Sequence, residues 1–97
     1  MPYELRLSPG TQASIREYVR DRFDKGNRKL AIQVIQSNLL TLAANPQAIK
    51  QPYWAVRPFY RFSIKLGDDV TRWVRVVFTY DEDEKGITII EFAPQLL

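Results

Sequence analysis

Apolar and polar residues alternate with a period of two along two runs between Val56 and Tyr80, and that pattern predicts a β-hairpin. In the first run Tyr60, Phe62, Ile64 and Leu66 share a face, and Arg57, Phe59, Arg61, Ser63 and Lys65 lie opposite them. In the second run Val74, Val76, Phe78 and Tyr80 alternate with Trp73, Arg75, Val77 and Thr79. Gly67-Asp68-Asp69 supplies the turn between the runs. One face of the hairpin is therefore greasy, and the other carries guanidinium, ammonium and aromatic groups. That second face is the candidate working surface. Pro58, near the start of the first run, predicts an edge position or a bulge there.

The rest of the chain supplies elements to cover the greasy face. Tyr3-Glu4-Leu5-Arg6-Leu7 alternates like a short strand with Tyr3, Leu5 and Leu7 inward. Ser8-Pro9 is a helix start, because serine caps free amides and proline suits the first helical position. Ile15, Tyr18, Val19 and Phe23 then recur at helical spacing, and Lys25-Gly26-Asn27 reads as the stop. A second helix is expected from about Arg28 to Ala44, with Leu30, Val34, Ile35, Leu39, Leu42 and Ala43 as its apolar stripe. Asn45-Pro46 ends it, and residues 47–53 read as a connector. After Tyr80, Asp81-Glu82-Asp83-Glu84-Lys85-Gly86 reads as a solvated hairpin tip rather than a cation loop, since calcium loops space their ligands. Ile87 to Phe92 is the last strand. The expected architecture is one α+β domain over residues 1–97, ordered β-α-α-β-β-β, with a helix hairpin on one face of a mostly antiparallel four-stranded sheet.

Composition narrows the chemistry. Ninety-seven residues make one domain with one modest core. Cysteine and histidine are both absent, which removes disulfides, thiolate and imidazole metal sites, and the usual general base at neutral pH. No cofactor and no metal is expected. No run approaches the ~20 apolar residues needed to span a bilayer, and Met1-Pro2-Tyr3-Glu4 is unlike a secretory leader, so a cytoplasmic protein without a membrane partner is expected. The net charge of +3 permits a polyanionic partner without demanding one.

The order of elements, together with Leu39-Leu40-Thr41-Leu42-Ala43-Ala44-Asn45-Pro46, Tyr60-Arg61-Phe62-Ser63-Ile64-Lys65 and Val74-Arg75-Val76-Val77-Phe78, resembles the RelE/ParE superfamily of bacterial toxins. The likeness runs from Tyr3 to Phe92. It implies the toxin half of a type II toxin–antitoxin pair, with a cognate antitoxin as partner. In the RelE branch it further implies an endoribonuclease that enters the ribosome and cuts messenger RNA by attack of a ribose 2′-hydroxyl on the adjacent phosphate. On that likeness Arg61, Lys65 and Arg75 are the candidate catalytic residues, Arg75 stabilising phosphorane charge through its two-pronged guanidinium. Arg57, Phe59 and Trp73 are the candidate RNA-binding residues, the aromatic pair by stacking on unpaired bases.

One departure keeps a second reading open. RelE-type enzymes usually carry an arginine or histidine after the last strand and often a tyrosine beyond it, where this chain has Ala93-Pro94-Gln95-Leu96-Leu97. Either the ribosome and the RNA supply the proton transfers, or the chain is a non-catalytic binder: a ParE-like inhibitor of DNA gyrase or a toxin fold whose activity has decayed. The plainest alternative is that Arg57, Arg61, Lys65 and Arg75 only keep a one-sided sheet soluble. The oligomeric state stays open, a homodimer included.

Overall fold

The computed structural model describes residues 2–49, 51–52, 59–67 and 72–94. Its elements are β1 (Glu4–Leu7), α1 (Pro9–Arg22), α2 (Lys25–Ala44), α3 (Pro46–Ile49), β2 (Gln51–Pro52), β3 (Tyr60–Lys65), β4 (Trp73–Asp81) and β5 (Gly86–Pro94). The sheet order is β1-β5-β4-β3-β2, with β1 parallel to β5 and every other pair antiparallel. The four long-range strands are those expected. The two-residue β2 and the single turn of α3 fall in the segment read as a connector, and β2 adds an edge to β3 through Gln51–Arg61 and Pro52–Tyr60. A strand this short leaves no run of alternation in the sequence to detect.

The inner face follows the period-two pattern. Phe62, Ile64, Val74, Val76, Phe78, Ile87 and Ile89 are buried there against Tyr18 and Val19 of α1 and Ala31, Ile35, Leu39 and Leu42 of α2. Tyr60 and Tyr80 pack beside Phe78 on the same side. Two helix details differ from expectation. Gly26 does not stop a helix. The first helix ends at Phe23, whose backbone is extended (φ −129°, ψ 141°), and Asp24 opens the second, so Gly26 sits in its first turn with an ordinary negative φ. A glycine is tolerated there because first-turn amides need no intrahelical partner. Arg28 then reaches back and donates to the Phe23 and Arg20 carbonyls at 3.0 and 3.1 Å, satisfying the end of α1. Leu30 is likewise not in the stripe: it is 59% exposed, because it stands about 140° around the helix from Ile35.

The decisive irregularity is in β5. Val77 pairs with Glu91 but Phe78 pairs with Ile89, so Ile90 is an extra residue, a β-bulge. Upstream of it Ile87 and Ile89 point inward; downstream Phe92 does. The bulge is held by α1. Thr11 is buried, and its hydroxyl lies 3.3 Å from both the Ile89 and Ile90 carbonyls. Having one proton, Thr11 gives it to the bulge and accepts from Ser8 Oγ, 2.9 Å away. Ser8 Oγ also caps α1 by accepting from the Thr11 amide at 3.1 Å.

Two stability outcomes follow. Thr11→Val keeps the shape but strips the bulge carbonyls of their donor, and is expected to cost about 1–3 kcal/mol in denaturant unfolding. Tyr18 is buried between Phe23 and Phe92, and its hydroxyl has no hydrogen-bond partner among the described residues. Burial raises its pKa above the usual phenol value, with Arg22 and Arg72 pulling it down by less. The unfolded chain then loses this proton first, so Tyr18 reduces stability as pH rises past about 10. Tyr18→Phe is expected to leave stability at neutral pH unchanged or higher and to flatten the alkaline fall, measured by thermal unfolding across pH.

Candidate functional site

Strand pairing arranges the outward side chains as a grid on the face turned away from α1 and α2. Arg61, Val77 and Glu91 form one row across β3, β4 and β5, and Ser63, Arg75 and Ala93 form the next. Lys65 and Trp73 form the third. Arg75 is thus central. Ser63 is directly beside it, and Arg61, Lys65 and Glu91 stand at its diagonals, roughly 7–8 Å away by strand geometry.

The grid is neither uniformly open nor purely cationic. Val77 is buried although it faces this side, and Arg75 is only 27% exposed. The Arg75 guanidinium contacts the Glu91 carboxylate at 3.4 Å. Lys65 lays its ammonium 4.5 Å from the centre of the Trp73 ring, and Trp73 Nε1 donates to the Gly67 carbonyl at 3.2 Å. Trp73 thereby ties the start of β4 to Gly67, and one of its ring faces is already occupied by a cation; Asp68 and Asp69 of the expected turn lie outside the described residues. Phe59 is half-buried just before β3. Arg57 lies outside the described residues, as do Trp54, Pro58 and residues 95–97.

The structure brings Arg61, Lys65, Arg75 and Trp73 together and adds a residue that the sequence reading did not single out, Glu91. Plain alternation from Ile87 and Ile89 puts Glu91 in the core. Only the extra residue at Ile90 reverses the phase, delivering Glu91 to the outer face and Phe92 to the inner one. A signal was present in Ile89-Ile90-Glu91-Phe92, where strict alternation buries a carboxylate and exposes a phenyl ring.

Other charges are engaged elsewhere. Arg72 covers the Phe23 ring at 4.7 Å, Arg22 covers Tyr18 at 5.1 Å, and Arg6 lies within 3.9 Å of both Glu4 and Glu84. The acidic tip is a turn: Asp81 accepts from the Asp83 and Glu84 amides at 2.8 and 3.2 Å. Among the described residues no group of three or more acidic side chains is placed to hold a metal, and no helix is long and apolar enough to cross a membrane.

With this geometry in hand, the fold can be compared with known ones. No protein-family model and no curated protein sequence matches the chain. Solved structures do. The free Escherichia coli toxin RelE, carrying two arginine-to-alanine changes, superposes with a TM-score of 0.61 at 14% identity, covering 96% of this chain and 83% of that one. The RelBE toxin–antitoxin complex of Mycobacterium tuberculosis gives 0.59 at 12% identity over 98% and 100%. The archaeal RelE–RelB complex of Pyrococcus horikoshii gives 0.52 at 15% over 97% and 96%. The chain therefore has the RelE toxin fold.

The Arg75–Glu91 pair is partly exposed and so is expected to add little stability. A double-mutant cycle of Arg75→Ala with Glu91→Ala is expected to give a coupling of about 1 kcal/mol or less in denaturant unfolding.

Proposed function

We propose that this chain is the toxin of a type II toxin–antitoxin pair and acts as a RelE-like, ribosome-dependent endoribonuclease on messenger RNA. The observation that carries this reading is the grid itself: Arg61, Lys65 and Arg75 converge on the sheet face away from α1 and α2, in a RelE fold. Arg75 at the centre is suited to the charge that builds on a phosphorane, because its planar guanidinium can hold two non-bridging oxygens. Arg61 at its diagonal suits a flanking phosphate, a contact that fixes position without reading sequence, and Lys65 at another diagonal adds charge beside the scissile group. Two of the structural neighbours are complexes of a toxin with its antitoxin, which supports a cognate antitoxin as partner. An antitoxin segment that is disordered alone and folds on contact fits that partnership.

One observation favours a non-catalytic, ParE-like binder instead. Two of the three cations are engaged within the chain, Arg75 with Glu91 and Lys65 over Trp73. The two readings separate in one culture. On induction in bacteria, the endoribonuclease arrests growth, leaves cut ends inside translated codons, and loses both effects in Arg75→Ala. A gyrase inhibitor raises the DNA-damage response with transcripts intact, and that outcome, or unimpaired growth, overturns the proposal.

A further inference from the structure

A nuclease of this kind needs a proton acceptor for the attacking hydroxyl, and the chain contains no histidine. The grid holds one carboxylate among its described residues, Glu91, whose Oε1 is 3.4 Å from Arg75 Nη2. Resting on the endoribonuclease reading, the geometry points to Glu91 as the general base for RNA cleavage, with Lys65 facing the leaving oxygen.

Position supports the assignment. Displacement at phosphorus needs the attacking and leaving oxygens on opposite sides. Glu91 and Lys65 occupy opposite corners around Arg75, one on β5 in the Val77 row and the other on β3 in the Trp73 row. A phosphate seated over the Arg75 guanidinium then has a base on one flank and an acid on the other. Arg75 also orients Glu91, so the base is placed before substrate arrives. The carboxylate is accessible, its side chain being 43% exposed. The nearest cation on its row is Arg61, across Val77.

The step balances. Glu91 takes the proton of the ribose 2′-hydroxyl as that oxygen bonds to phosphorus. The bond from phosphorus to the 5′-oxygen breaks, its electron pair leaves on that oxygen, and the Lys65 ammonium protonates it. The products are a 2′,3′-cyclic phosphate and a free 5′-hydroxyl, and exchange with solvent restores both side chains. Thr11 and the bulge at Ile90 stand behind this as positioning elements, since they set the face on which Glu91 emerges.

The test uses the full chain on ribosomes programmed with a defined message. Single-turnover cleavage is followed across pH for the native chain and Glu91→Gln, and binding is measured on the same complexes with a message carrying a 2′-deoxyribose at the cut site. Glu91→Gln is expected to bind as tightly as the native chain or more so, to cleave about 10²–10⁴-fold more slowly, and to lose the acidic limb of the rate profile. Cleavage at the native rate by Glu91→Gln overturns the assignment. So does a loss of binding equal to the loss of rate, which marks a purely structural role. A native chain that binds but does not cut, or does neither, instead removes the endoribonuclease reading and this inference with it.

Discussion

Which side chains the last strand sends to the outer face depends on one inserted residue and the hydroxyl that holds it. In a strand the side chains alternate strictly, so an extra residue reverses the destination of all that follow. At Ile90 that reversal puts Phe92 under α1 beside Tyr18 and lifts Glu91 out beside Arg75. Thr11 stabilises the reversal by donating its hydroxyl proton to the two bulge carbonyls from the helix side. The same Thr11 amide is capped by Ser8. The start of the first helix and the phase of the last strand are thus one hydrogen-bonded unit, although 78 residues separate Thr11 from Ile89.

The helix layer is secured by similar economy. The α1–α2 corner has no glycine in a left-handed conformation; Arg28 supplies the missing donors to the end of α1 instead. At the other end of α2, the Tyr3 amide donates to the Ala43 carbonyl at 2.7 Å, and the Glu4 amide donates to Lys85 at 2.7 Å. These tie β1 to both the helix and the β4–β5 tip. Lys85 at φ 56° is the only non-glycine residue with positive φ among those described, and it completes that tip. Several arginines of the helix hairpin are engaged in such contacts: Arg28 with carbonyls, Arg22 with the Tyr18 ring, and Arg20 with Asp21.

The outer grid is a partly compensated cationic surface, three cations to one carboxylate among the described residues. A bare cluster of Arg61, Lys65 and Arg75 repels itself and attracts any polyanion. Glu91 against Arg75 neutralises part of that charge, and Lys65 lying on Trp73 is pre-ordered without losing its charge. Any anion that approaches Arg75 meets the Glu91 carboxylate already beside it, which disfavours loose, indiscriminate binding.

Much of this was legible in the chain. The alternation in residues 60–66 and 73–80 specifies which side chains of β3 and β4 face the helices, because a strand has only two faces and the apolar set must be buried. Ser8-Pro9 specifies the first helix start, since capping is local chemistry. Three features are decided by tertiary structure, although Ile89-Ile90-Glu91-Phe92 carries a local hint of the third. Leu30 falls outside the stripe because the neighbours of α2 cover less of its circumference than its apolar residues span. The strand Gln51–Pro52 exists only because β3 offers it an edge. Glu91 reaches the grid only because Thr11, far away in sequence, satisfies the carbonyls of a bulge. Local pattern determines the two faces of each strand; which face a residue takes after an irregularity is decided by whatever partner makes the irregularity stable.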